Sequence, residues 1–122
     1  MNQKHIFERV ILLIISIGAL CFVGVTVYSQ FKTTKQRMLF YQLQTLRMGV
    51  NIYQFVNHKN PESLQEIIVK NYKMPNEPVE RPFIAGFVAD SVGHVFDPFG
   101  NPYKYDSKTG WVKSVTRGCE LW

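Results

Sequence analysis

Few residues of this chain have the types and spacing of chemistry. His5, His58 and His94 are isolated from one another. No run spaces His, Cys, Asp or Glu as metal ligands, and none opens a glycine-rich phosphate loop. Cys119 with His94 has the residue types of a nucleophile and its base. Nothing in the sequence supplies a third group to orient the histidine, and the thiol falls in the C-terminal tail. Two acids stand where a carboxylate needs a reason. Glu8 lies at the lip of the apolar run IFERVILLII, where a membrane anchor ordinarily carries Lys or Arg. A charge at the edge of hydrocarbon is costly unless paired. Lys4, one helical turn earlier, is in i, i+4 reach of it, a pairing worth about 0.2–0.5 kcal/mol when exposed. Asp97 opens the run DPFGNPY, residues 97–103. There Pro98 pre-sets the turn angle, Gly100 supplies a positive φ, and Asp97 accepts from its own backbone. No enzymatic activity is expected from this inventory.

The elements that must position these residues begin with a membrane segment. From Val10 to Phe31 there are 22 residues without a charge. As a helix they cover about 33 Å, against a hydrocarbon core of about 30 Å. The expectation is a transmembrane helix with a short N-terminal leader over residues 1–31. Cleavage before Gln30, after Val27-Tyr28-Ser29, is the alternative, although the apolar stretch is long for a secretory signal. A lipoprotein site at Cys21 is disfavoured, because Leu20 fills a position that wants a small residue. Lys4, Arg9 and the terminal amine balance Lys32, Lys35 and Arg37, so charge does not fix orientation. The short leader is expected to stay cytoplasmic while the larger C-terminal part crosses. Cys21 in lipid and Cys119 in water do not meet the disulfide limit of about 7 Å between Cα atoms.

The helical pattern continues beyond the membrane. Leu39, Leu43, Leu46, Val50 and Tyr53 recur at spacings of 4, 3, 4 and 3, one apolar seam on a helix. The spacing predicts one continuous helix, membrane-embedded first and amphipathic over 32–58. A kink near Thr33-Thr34 followed by a separate core helix is the other reading. Pro61 ends the helix. Ser63-Leu64-Gln65-Glu66 then has the form of a capping box for a short helix over 63–71. Pro75, Pro78 and Pro82 make residues 73–82 an extended loop, and a small sheet is expected over 83–116. Tyr103, Tyr105 and Trp111 are the aromatics expected to cover the long helix. The fold class is α+β: a long N-terminal helix packed against a small C-terminal antiparallel sheet. About sixty residues are few for an independent core, so the sheet is expected to lean on the seam.

That order of elements, with NPESLQEI at 60–67, the proline-rich loop, and FDPFGNPY at 96–103 running on into YDSKTGWVKS, resembles the type IV pilin superfamily. It is most similar to the major pseudopilins of type II secretion systems. The resemblance covers nearly the whole chain, and the DPFGNPY turn is its strongest motif. It implies a pilin-like structural subunit in the bacterial inner membrane, single-pass, with residues 32–122 as a domain in the periplasm or outside the cell. Such a subunit forms homo-oligomers or mixed filaments with other pilin-like subunits and is handled by a secretion or pilus assembly machinery. The resemblance also gives Glu8 a role: in the family a glutamate at this place pairs with the N-terminal amine of a neighbouring subunit. Asp97, Pro98, Gly100, Asn101, Pro102 and Tyr103 match its structural turn. Two departures accompany it. Gln3 and Lys4 stand where the family's processing site has Gly followed by an apolar residue, which leaves Lys4 as an in-helix partner for Glu8. The acidic loop that binds calcium in many members is also missing, Asp97 and Asp106 being the only acids between Val92 and Glu120. No cofactor is expected, calcium included. A non-polymerising single-pass protein acting as an assembly or scaffold partner is the alternative function.

Net charge is +5, from 14 Lys and Arg against 9 Asp and Glu. The cations are scattered singly, so no nucleic-acid groove is expected.

Overall fold

The computed structural model describes residues 3–122, except that the side chain of Lys4 is not among those described. Helix α1 spans Gln3–Asn57, followed by α2 (Leu64–Val69), β1 (Asn71–Lys73), β2 (Glu80–Pro82), β3 (Lys104–Asp106) and β4 (Trp111–Lys113). The layout is α+β, one long apolar N-terminal helix with two small antiparallel strand pairs behind it in sequence. The chain divides into two compact units, Met1–Lys35 and Gln36–Trp122.

The first unit is helix and nothing else. Each of its described side chains is exposed, and α1 is long and apolar enough to cross a membrane. Two of its hydroxyls are returned to the helix backbone: Thr26 Oγ1 donates to the Val23 carbonyl at 2.8 Å and Thr33 Oγ1 to that of Ser29 at 3.0 Å. Such back-bonding removes a polar group that hydrocarbon would not solvate. Helix α1 continues through Thr33-Thr34, so one helical element, not two, carries both segments. Open space surrounds the positions a Cβ would take at Gly18 and Gly24.

The second unit is organised by the seam. Leu39, Leu43 and Leu46 are fully buried, and Val50 and Tyr53 nearly so. Leu64 and Ile67 of α2, Phe83, Ile84, Val95, Tyr103 and Val112 close the core over them. Gly49 stands in mid-helix, where a glycine costs about 1 kcal/mol against alanine. Its reason is contact: a Cβ there would run into Ile84 Cγ2 and come within 3.3 Å of Ile67 Cδ1. The chain leaves α1 through His58, at φ 55°, whose N–H donates to the Gln54 carbonyl at 2.8 Å. Buried Pro61 follows.

The strands differ from the sequence reading in two respects. The segment 73–82, expected as a loop, carries the closing rungs of a ladder: Asn71 pairs with Pro82, Tyr72 with Arg81 and Lys73 with Glu80. Three-residue strands leave no alternation to read. The register sets Lys73 opposite Glu80, and Arg81 of β2 pairs with Glu77 in the preceding turn at 2.8 Å. The stretch 83–89 forms no strand. Its main-chain pairing is a single bridge from Ala89 to Val95, while Phe83 packs between the rings of Tyr53 and Tyr72, centroids 5.1 and 4.9 Å away. β3 and β4 form the expected hairpin, Tyr105 opposite Val112 and Lys104 opposite Lys113. The turn between them bends at Gly110, φ 75°.

Candidate functional site

Glu8 lies in the first unit, its side chain 70% exposed, with Oε2 at 3.6 Å from His5 Nδ1. The sequence suggested Lys4 as its in-helix neighbour; that side chain lies outside the described residues, and the described partner is His5, three positions back. The turn residues Asp97 to Tyr103 lie in the second unit. The structure therefore describes two separate candidate regions, one on each unit.

The turn is built around a buried anion. Asp97 is 6% exposed. Its Oδ1 accepts from the backbone N–H of Phe99 and of Asn101, both at 2.9 Å. Its Oδ2 accepts from Thr116 Oγ1, which in turn accepts from Asn101 Nδ2 at 2.8 Å. The backbone closes the same loop: Gly100 N–H donates to the Asp97 carbonyl at 2.9 Å, and Asp97 N–H to that of Asn101 at 2.8 Å. Gly100 sits at φ 85°, where only glycine is unstrained. Phe96 bridges Pro102, and Tyr103 N–H donates to the Val95 carbonyl at 2.8 Å. Tyr103 reaches the helix itself, its hydroxyl donating to Gln42 Oε1 at 2.9 Å. Burial, and then the Asp97 charge, push the Tyr103 hydroxyl well above the ordinary tyrosine range. Both Asp97 oxygens are thus committed within the fold, which makes the residue a structural knot. Among the described residues, no three His, Cys, Asp or Glu gather as a metal-holding group.

Two features escape a sequence reading. Thr116 completes the Asp97 knot although nineteen positions separate them. Ser114 Oγ supports it by accepting from Thr116 N–H at 3.0 Å, and Cys119, read as a tail residue, is buried at 1% exposure. The other feature is a chain of polar contacts across α2. Tyr53 donates its hydroxyl to Glu66 Oε1 at 2.7 Å, and Lys70 Nζ donates to the same oxygen. The Glu62 backbone N–H donates to Glu66 Oε2 at 2.8 Å. The capping box had pointed to Glu66 but to other partners: the Ser63 side chain makes no cap bond, and Glu66 satisfies Glu62. The bond from Lys70, with smaller help from Tyr53 and the Glu62 backbone and against the cost of burial, holds the Glu66 carboxyl down at about 2. Burial first, then the bond to Glu66, pushes the Tyr53 hydroxyl up to about 12.

The hairpin is tied to α1 by Arg47, whose Nε and Nη2 both donate to the Val112 carbonyl, at 3.1 and 3.0 Å. Tyr105 donates to the Pro61 carbonyl at 2.7 Å, and burial, then the Asp106 charge, raise its hydroxyl to about 12. Trp111 corrects the sequence reading. It was expected to cover the helix with Tyr103 and Tyr105, yet it is 60% exposed. Strand alternation explains this: Val112 is fully buried, so its neighbours Trp111 and Lys113 face outward. Lys113 Nζ rests 5.8 Å from the indole centroid.

No family model matches the chain, and no curated protein or solved structure does.

Proposed function

We propose that this chain is a pilin-like structural subunit. It is anchored in the bacterial inner membrane by residues 10–31, with its second unit in the periplasm or outside the cell. It assembles through its N-terminal helix into a secretion pseudopilus or a type IV pilus-like filament, alone or mixed with other pilin-like subunits. One observation carries the reading. A carboxylate, Glu8, stands exposed just before the uncharged run of residues 10–31, whose side chains are all exposed. A carboxylate at the edge of hydrocarbon is costly unless paired, and a cationic group on a neighbouring chain would pair it. The DPFGNPY turn adds support, since its residues are committed to holding the second unit together rather than to a ligand.

The test is assembly in cells that make the whole apparatus. Cysteines placed singly along residues 10–20 are expected to give a ladder of crosslinked multimers, and Glu8→Gln to shorten that ladder. A chain that stays monomeric at every position overturns the filament reading.

The non-polymerising alternative has its own observation. His5 stands 3.6 Å from Glu8 within one helix, and Gln3-Lys4 replaces the Gly–apolar processing pair. In that reading Glu8 is satisfied locally and the chain acts as an assembly or scaffold partner. Intact mass of the purified protein separates the two: loss of the first three residues with methylation of the new amine belongs to the filament subunit.

A further inference from the structure

The outer face of α1 in the second unit lacks what makes a helix face soluble. Between Arg37 and Lys59 the only Lys, Arg, Asp or Glu is Arg47, and its guanidinium is bonded to the Val112 carbonyl. A helix that covers a core with one face ordinarily carries its charges on the other. Here that other face repeats Tyr41, Gln44, Met48, Asn51 and Phe55, all exposed, at spacings of 3, 4, 3 and 4. Tyr41, Met48 and Phe55 are 73, 59 and 72% exposed. The buried seam uses Leu39, Leu43, Leu46, Val50 and Tyr53. The helix therefore carries two seams, of which its own unit fills one.

We infer that the outer seam is a contact surface for a second copy of this chain, the two helices side by side and parallel. The spacing is that of the a and d positions of a two-stranded helical pair. The seam has no charge, so two copies meet without repulsion and without desolvating an ion. Gln44 and Asn51 carry both a donor and an acceptor, so each complements its own copy across a two-fold axis. The size is informative as well. A fully buried aromatic side chain covers about 150–250 Å², so this seam with Trp111 offers a few hundred Å² per copy, below the roughly 800 Å² of a standard interface. A contact of that size holds only where copies are already concentrated and aligned, as an apolar segment shared with one membrane makes them. Trp111 adds a flank, since it lines an open groove with Asn51, Arg47 and Gln54 along the edge of the seam. This inference deepens the assembly reading but needs only a membrane-held pair, not a filament.

The test uses the full chain in lipid vesicles, in a Cys21→Ala background. Met48→Cys, which faces its own copy in a parallel pair, is compared with Val88→Cys, 85% exposed and far from the seam in sequence. Met48→Cys is expected to form the disulfide-linked dimer about tenfold faster. Adding Phe55→Lys should reverse that advantage, and so should Tyr41→Gln, with the near-ultraviolet spectrum unchanged. Equal rates for the two cysteines, or a dimer indifferent to both seam substitutions, overturn the inference. So does a Met48→Cys adduct in cells whose mass is not twice that of the chain. A ladder from residues 10–20 with Met48→Cys monomeric sinks this inference and leaves the filament reading. The converse pattern keeps the pair and removes the filament.

Discussion

The two units solve opposite problems with the same kind of helix. Over residues 5–35 no described side chain is buried, and the hydroxyls of Thr26 and Thr33 are folded back onto the helix. Over residues 36–57 the helix buries a seam of five residues and spends its polar groups on partners outside itself: Gln42 on Tyr103, Arg47 on Val112, Gln54 on Asn60. The first unit leaves every described side chain uncovered. The second completes itself on one face. A backbone alone would not distinguish them; the side chains and their hydrogen bonds do.

That contrast can be broken most severely at the inner seam. Leu46→Ala removes a fully buried side chain and is expected to cost about 2–5 kcal/mol. Thermal unfolding followed through the two tryptophans, both in the second unit, reads the loss. The reciprocal change, Ile17→Arg, is expected to leave that melt unchanged. It should weaken membrane retention, because an arginine near the middle of a spanning helix costs about 2.5–3.5 kcal/mol on insertion scales. Vesicle flotation measures it. If Ile17→Arg shifts the melt instead, the separation of the two units is wrong.

Asp97→Ala ranks next. It leaves the N–H groups of Phe99 and Asn101 and the Thr116 hydroxyl without their acceptor, at about 1–3 kcal/mol. A melt of Asp97→Ala within experimental error of the parent would show that the knot is ornamental. Smaller still is a pH effect at Glu66. Its carboxyl is held at about 2 in the folded chain against an ordinary 4.5, so between those values the unfolded chain binds more protons. The contribution is fully present above about pH 4.5 and is lost as the pH falls towards 2. Glu66→Gln should flatten that acid slope. For Tyr53 the sign is opposite: its hydroxyl is raised from 10 to about 12, so stability present below pH 10 is lost as the pH climbs towards 12. The smallest effect is expected at Trp111→Ala. The residue is 60% exposed, and the melt should move by less than about 0.5 kcal/mol.

How much of this was legible depended on repetition. The membrane-length run and the inner seam repeat over many residues, and both could be read before any coordinates. The Asp97 turn was legible because its chemistry is local: aspartate, proline and glycine act on backbone within four positions. Thr116 was not, since nothing local marks a threonine whose hydroxyl serves an acid nineteen residues away. The β1–β2 pair lay hidden among prolines, its strands too short to alternate. The outer seam was not read from the sequence; the exposure of Tyr41, Met48 and Phe55 reveals it. Glu66 was read as half of a capping box; geometry gave it to Tyr53, Lys70 and the Glu62 backbone instead.

Gly49 carries a consequence for anyone redesigning the helix. A glycine deep in a long rod invites being taken for a hinge, and exchanging it for alanine is the customary remedy. Here the bare backbone is a seat cut for Ile84, a β-branched side chain with little freedom to step aside. Filling the seat would prise the rod from the layer it supports, and the stiffening meant to strengthen the protein would loosen it.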